Sequence, residues 1–353
     1  MEKLAIDKGF WKNRRVFVTG HTGFKGGWLT LWLASMGAEV HGYALEPDTD
    51  PNFFDSISLS DLLASHTIGD VRNLEDLGKT LRETDPEVIF HLAAQSLVLR
   101  SFDQPIMTID VNVMGTANLL EASRNLQSLR AIVNVTSDKC YRNDGNHHAF
   151  KEADPMGGSD PYSASKGAAE LIAQSYHKSF FSEGPTAIAS ARAGNVIGGG
   201  DWAANRLIPD YFRAQQNEEA LFLRSPDSVR PWQHVLEPLA GYLQLAQALY
   251  LEGQAFSGGW NFGPAKESAM PVEWIANYLA QHYGGRYQLG TDRTNREAHY
   301  LMLDSSKAKT QLQWHPRWGI DTALDKTAEW YLSFNRGQDM RILSLDQINE
   351  YIV

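Results

Sequence analysis

Over the first 190 positions, short unbroken apolar runs alternate with stretches of helical period. Arg15-Val16-Phe17-Val18-Thr19 is a β-branched and aromatic run, and Trp28 to Met36 follows it as an amphipathic helix. Glu39 to Leu45 predicts a second strand, with its helical crossover delayed by the Pro- and Asp-rich segment Glu46 to Asn52. A third strand ends near Gly69-Asp70, Asn73 to Thr84 predicts a helix, and Glu87 to Ala94 predicts a buried strand. Ile106, Ile109, Val113, Ala117 and Leu120 recur at helical spacing. Arg130 to Val135 is another apolar strand and Tyr162 to Phe181 another long helix. Strands and helices alternating at this interval predict βαβ units, hence an α/β fold with a doubly wound parallel sheet covered on both faces. Ligands of such a sheet lie at the carboxyl ends of its strands.

The texture changes near residue 195. Glycine and aromatic residues gather in loops such as Gly198-Gly199-Gly200-Asp201-Trp202, and helices are expected at Val235 to Leu251, Val272 to Tyr283 and Thr322 to Phe334. The division expected is residues 1–190 for the sheet with its chemistry, and 191–353 mainly for a smaller α/β substrate lobe, with some chain crossing back to the sheet.

Composition narrows the classes. Of 353 residues, 43% are hydrophobic, and ten Trp, 13 Tyr and 15 Phe are far too many aromatics for a disordered chain. The formal net charge of −10 argues against a nucleic-acid or anionic-membrane partner, which demands clustered positive charge. Cys140 is the one cysteine, so an internal disulfide is impossible. Met1 to Lys8 lacks the apolar run of a signal peptide, and no stretch approaches the ~18 apolar residues that span a bilayer. A soluble, cytoplasmic protein is expected.

The carboxyl ends of the strands carry the candidate chemistry. After the first strand comes Thr19-Gly20-His21-Thr22-Gly23-Phe24-Lys25-Gly26. A glycine triplet alone marks only a tight turn. Between a strand and a helix, Gly20, Gly23 and Gly26 also allow close approach to a pyrophosphate, with a helix N-terminus aimed at the anion. This is the arrangement of a Rossmann-type dinucleotide fold. The second strand ends Tyr43-Ala44-Leu45, without the usual acid for a ribose 2′-hydroxyl and without an arginine for a 2′-phosphate. NAD is the cofactor expected.

Tyr162-Ser163-Ala164-Ser165-Lys166 opens a helix, which places Tyr162 and Lys166 one turn apart on one face. A free tyrosine, with a pKa near ~10, is a poor base at neutral pH. An adjacent ammonium and a positive nicotinamide ring favour its phenolate. The fifth strand ends Thr136-Ser137-Asp138-Lys139-Cys140.

The G-x-x-G-x-x-G spacing, the Tyr/Lys pair and Ser137 resemble the extended short-chain dehydrogenase/reductase family. In that resemblance Asp70-Val71 matches the pair against the adenine, Leu92-Ala93-Ala94 the segment along the cofactor ribose, and Ser137 the hydroxyl that bonds the oxidised substrate oxygen. His21, Phe24, Lys25 and Leu45 complete the expected cofactor contacts. Two further groups after Ser137 are similar to those of the nucleotide-sugar 4,6-dehydratases, where Asp-Glu is usual. Asp138-Lys139 here, with Gly199-Gly200-Asp201-Trp202 and Arg230-Pro231-Trp232-Gln233-His234, resembles the members of that family acting on CDP-glucose. The resemblance implies Asp138 as acid for the leaving C6 hydroxyl and Lys139 as base for the C5 proton. A lysine is a base only when neutral, so burial or nearby positive charge must lower its pKa. It also implies a place in making 3,6-dideoxyhexoses of bacterial O-antigen.

Asn195 matches the family's substrate-binding amide, and Arg206 and Arg230 are candidates for the diphosphate, to which guanidinium offers a forked donor. The helices near 106–120 and 162–181 carry more apolar surface than one-sided packing needs, and the resemblance makes them an interface of a homodimer or homotetramer. No metal is expected: the sequence has no H-E-x-x-H or C-x-x-C, and His147-His148 lies in a polar loop. A 4-epimerase or simple dehydrogenase would keep Ser137, Tyr162 and Lys166 without using Asp138-Lys139. A non-catalytic NAD sensor would keep the glycine loop alone.

Overall fold

In a computed structural model, residues 6–145, 148–290 and 301–353 are described. Seven strands form the central sheet: β1 (Arg15–Thr19), β2 (Glu39–Ala44), β3 (Ser65–Ile68), β4 (Val88–His91), β5 (Ala131–Val135), β6 (Ala187–Arg192) and β7 (Gly258–Asn261). They pair in the order β7-β6-β5-β4-β1-β2-β3, all parallel. Winding runs outward from β1 to β3 and then, in the opposite direction, from β4. The crevice between the ends of β1 and β4 is where such a sheet takes its ligand.

Both faces of the sheet are covered, which is why its strands read as continuous apolar runs. Alternate residues supply opposite cores. Val16, Val18, Phe90 and Val133 pack with Trp28, Trp32 and Leu239 on one side. Phe17, Ile89, Ile132 and Ile188 pack with Leu77, Leu119 and Leu120 on the other.

The helices of this layer are α1 (Phe24–Ser35), α2 (Leu74–Thr84), α3 (Gly115–Ser123) and α4 (Pro161–Tyr176). Asn73 is the cap of α2 rather than its first turn, accepting from the Asp76 nitrogen. β3 stops at Ile68, so Gly69-Asp70 is already loop. β4 stops at His91; the Leu92 nitrogen still reaches the Thr19 carbonyl as well as its hydroxyl, and the Ala93 nitrogen bonds the hydroxyl. The helical spacing from 106 is carried by three pieces, Pro105–Ile109, a π turn at Asp110–Met114, and α3. A second π turn, His177–Phe181, continues α4.

Later helices are α5 (Leu207–Gln216), α6 (Leu236–Glu252), α7 (Val272–Tyr283), α8 (Ile320–Asn335) and α9 (Met340–Ile352). The helices expected do not include α5 or α9. Ile208, Tyr211 and Phe212 do lie at helical spacing on the buried face of α5, whereas the buried face of α9 includes Ser344 and Gln347. The chain after Arg192 returns to the sheet more than once. β7 joins its edge beside β6, and α6 packs across β5 and β6. α9 reaches back to α1, with Trp32 and Tyr351 ring centroids 5.7 Å apart. Small two-stranded pairs, such as Val196–Ile197 with Gln233–His234, build the remainder. Among the described residues no helix is long and apolar enough to cross a membrane.

Candidate active site

The glycine loop is shaped by contact with the end of β4. Gly20 has φ +77°, and a Cβ there would lie 2.7 Å from the Ala93 nitrogen. Only glycine permits both the turn and that approach. Gly23 then caps α1 without any side-chain bond, and no acid stands in the first turn. The first N–H groups of α1 are therefore available to an anion, unlike those of α2 and α4, which Asn73 and Asp160 cap. The loop fits a dinucleotide pyrophosphate.

Around it the cofactor candidates divide between two sides. On the β2–β3 side, the exposed Leu45 holds Thr22 through its carbonyl at 2.9 Å. Asp70 pairs with Arg72 at 2.6 Å, and that guanidinium lowers its carboxyl below the usual range. Val71 is buried, its carbonyl accepting from Asn118. On the β4 side, Leu92, Ala93 and Ala94 follow His91, whose Nδ1 lies 2.8 Å from Thr19 Oγ1 and whose Nε2 lies 3.3 Å from Thr116 Oγ1. Burial holds His91 down to about 3, so it is neutral. His21 points under β2, its Nε2 2.7 Å from His66 Nδ1, and burial followed by His66 lowers it to about 3. Phe24 and Lys25 are half-buried. Burial, then Arg206, lowers the Lys25 ammonium to about 8, with Asp138 opposing and Lys166 adding to the fall.

Asp160 caps α4 through the Ser163 nitrogen, and Pro161 begins the helix. Tyr162, Lys166 and Glu170 follow at four-residue intervals on one buried face. Burial raises the Tyr162 phenol to about 12, opposed by its hydrogen bond with Ser137 and by Arg206. Burial lowers Lys166 to about 8. The chain's own charges thus leave the phenol protonated, and the lysine close to losing its proton.

Across from this face, residues 137–140 form a short turn at the end of β5. The Ser137 hydroxyl accepts from the Lys139 nitrogen at 3.2 Å and donates to Asp138 Oδ1 at 2.8 Å. Asp138 is 2% exposed, and Asn195 Nδ2 lies 3.4 Å from its Oδ2. Gly194 makes room for it, since a Cβ there would fall 1.9 Å from Asp138 Oδ2. Lys139 is half-buried and, among the described residues, forms no ion pair, so the turn is not a salt-bridged surface feature. Cys140 is fully buried.

From the chain beyond β6, Arg206 caps the N-terminus of α5, 2.7 Å from Asp201 Oδ2 and 3.1 Å from Ser96 Oγ. Ser137, Asp138, Tyr162, Lys166, Lys25, Asn195 and Arg206 converge in this way. Arg230 is buried on the strand Val229–Pro231, with Nη1 donating to the Val229 carbonyl. His147 lies outside the described residues.

Some participants carry no sequence signal. Asn112 sits in the π turn, where its Oδ1 accepts from the Gln95 nitrogen at 2.8 Å while Nδ2 donates to Gln95 O and to Ser165 Oγ. A π turn widens a helix locally and often marks such a site, but only in three dimensions. Thr19, Ser96, Glu170 and Arg192 are likewise defined by partners distant in sequence.

The chain is similar to known proteins in sequence and in fold. The profile of the family described as GDP-mannose 4,6 dehydratase matches residues 17–327. The CDP-glucose 4,6-dehydratase of Salmonella typhimurium is 51% identical over 98% of both chains. A probable dTDP-glucose 4,6-dehydratase of Sinorhizobium fredii is 26% identical over 90% of this chain and 93% of its own. In fold, the chain is similar to the dTDP-glucose 4,6-dehydratase of Streptomyces venezuelae solved with NAD and TYD bound, at a TM-score of 0.77 and 22% identity over 93% of this chain and 99% of that one. A seven-stranded parallel sheet with its glycine loop and its Tyr162/Lys166 helix, together with a family match over most of the sequence, places this chain in the GDP-mannose 4,6 dehydratase family of extended short-chain dehydrogenase/reductases.

Proposed function

We propose that this protein converts CDP-D-glucose to CDP-4-dehydro-6-deoxy-D-glucose with loss of water, using NAD. The observation that carries the reading is the Ser137-Asp138-Lys139 turn set opposite Tyr162 on α4. The 51% identical relative named for CDP-glucose supports the nucleotide, and NAD in a solved structure of this fold supports the cofactor.

NAD held at the glycine loop and Lys166 would supply reversible hydride transfer, from C4 and back to C6 of the same sugar. The protein does the rest by moving protons. Tyr162 is brought to its phenolate by the Lys166 ammonium and by the positive nicotinamide that would lie beside it. It takes the proton of the C4 hydroxyl while Ser137 holds that oxygen, and Lys166 would hold the cofactor ribose. Once C4 is a ketone, C5–H is acidic because the carbanion is an enolate. Lys139 removes that proton and Asp138 protonates the C6 hydroxyl, which leaves as water; as hydride is added at C6, the Lys139 ammonium returns a proton to C5. An epimerase would have no use for this buried acid.

The α1 N-terminus and glycine loop would hold the NAD pyrophosphate, with Asp70-Val71 toward the adenine and Leu92 to Ala94 along the ribose. Asn195, Arg206 and Arg230 would grip the sugar nucleotide, so that residues 1–190 serve the cofactor and 191–353 mainly the substrate. Exposed apolar residues Ile106, Ile109 and Met114, with Leu171 and Phe180 on and beyond α4, provide a face for a second copy in a homodimer or homotetramer. The setting proposed is the cytoplasm, supplying 3,6-dideoxyhexose synthesis for O-antigen.

The test is incubation with CDP-glucose, dTDP-glucose, UDP-glucose and GDP-mannose, each with catalytic NAD. The alkaline chromophore of a 4-keto-6-deoxy sugar should form from CDP-glucose without net NADH. Its absence with every sugar would refute the dehydratase reading, and its formation from another alone would correct the nucleotide.

A further inference from the structure

Behind the turn lies a buried ion pair that takes no part in these proton transfers. Glu170 is one helical turn beyond Lys166, and Arg192 ends β6; both side chains are 1% exposed. They meet through two parallel bonds, Arg192 Nε to Oε1 and Nη2 to Oε2, each 2.8 Å. Gly259 on β7 leaves space for the guanidinium, since a Cβ there would fall 2.4 Å from Nη2.

The pair is joined to the catalytic turn at both of its ends. Thr136, immediately before Ser137, donates its hydroxyl to Glu170 Oε1. Tyr141, immediately after Cys140, accepts from Arg192 Nη1 at 2.6 Å and donates to Asn261 Oδ1 at 2.7 Å. A buried ion pair is a poor device for stability, because well-packed apolar residues of the same volume do as well or better. What it provides is fixed direction: a bidentate guanidinium–carboxylate contact tolerates little displacement of either partner.

We infer that Glu170 and Arg192 are positioning residues that hold the Ser137–Lys139 turn in register with the α4 face bearing Tyr162 and Lys166. This rests on the dehydratase reading, in which two stages draw on opposite sides of the tie. Oxidation at C4 depends first on Tyr162 and Lys166, which α4 itself carries. Elimination depends on Asp138 and Lys139, which reach the sugar only through the turn. Glu170 also faces Lys166, and its charge favours the ammonium there. Loosening the tie should therefore slow elimination more than oxidation.

Tyr141→Phe is the decisive variant, because it keeps the ring stacked on Phe150 and leaves the ion pair intact. Thr136→Val releases the other end, and Glu170→Gln removes the carboxylate charge that balances Arg192. Each is mixed with CDP-glucose and one equivalent of NAD, and NADH absorbance is followed alongside quenched product. The expected result for Tyr141→Phe is NADH formation near the wild-type rate with product formation slowed roughly tenfold to a hundredfold, as misplacement by about an ångström costs. NADH and the 4-keto-glucose then accumulate. Equal slowing of both stages, or no slowing of either, overturns the inference. If Glu170→Gln fails to fold, Tyr141→Phe alone decides the question. A wild-type protein that makes no product would instead refute the dehydratase reading.

Discussion

Tyr162 and Lys139 act on protons of the same sugar at different stages, so their loss separates the stages. Tyr162→Phe should abolish cofactor reduction itself, lowering turnover by about 10²–10⁴-fold, and near-normal turnover would refute the role of the phenol. Lys139→Met should block exchange of C5 hydrogen with solvent deuterium while some cofactor reduction continues; exchange at the normal rate would remove Lys139 as base. Gly194→Ala tests the seat of Asp138, because the new methyl would lie 1.9 Å from its carboxylate oxygen. Product formation should fall with the overall fold retained by circular dichroism, and unchanged activity would show that Asp138 can move freely. The reactive residues are legible in the sequence because Ser137, Asp138 and Lys139 are consecutive at a strand end and Tyr162 and Lys166 are one helical turn apart. Glu170 and Arg192 are not, since nothing in sequence joins positions 22 residues apart that meet only through the packing of α4 on β6.

At the scale of elements, the α1 N-terminus and the loop before it form one anion site. Gly20→Ala would place a methyl against the backbone of Ala93 and strain a φ of +77°. Isothermal titration should find NAD binding lost or severely weakened, and unaltered affinity would contradict the assignment of this loop. The apolar face on Pro105–Ile109 and α4 makes a second claim. Ile106 is 77% exposed and Leu171 also largely exposed, so the pair Ile106→Lys and Leu171→Glu should reduce the sedimenting mass to that of one chain. An unchanged oligomer would place the interface elsewhere. Strands are legible because both faces of the sheet are buried, leaving unbroken apolar runs. α9 is not, because Ser344 and Gln347 are buried by hydrogen bonds rather than by hydrophobicity.

For the molecule as a whole, the charge of −10 is compatible with anionic ligands because cations and amides are concentrated locally. Lys25, Lys166 and Arg206 face the crevice with the uncapped end of α1. Three buried imidazoles, His21, His91 and His234, make the fold sensitive to acid, because burial lowers each from 6.5 to about 3. Between these values the unfolded chain binds more protons than the fold does. Their contribution is complete above about 6.5 and is lost as pH falls, by about 1.4 kcal/mol per pH unit for each. The melting temperature should drop steeply from pH 7 to pH 5, and His234→Leu should flatten that slope. A melting temperature independent of pH in this range would contradict the burial of neutral imidazoles. None of this is legible from eleven histidines in a sequence, since what matters is which ones the fold encloses.

The central claim is that hydrogen taken from C4 comes back to the same sugar at C6. CDP-glucose carrying deuterium at C4 tests it directly, with the product analysed by proton NMR. Deuterium is expected at C6 of the 4-keto-6-deoxy product, with none released to solvent. Deuterium lost to water, or found in a reduced cofactor pool that grows with turnover, would contradict the claim.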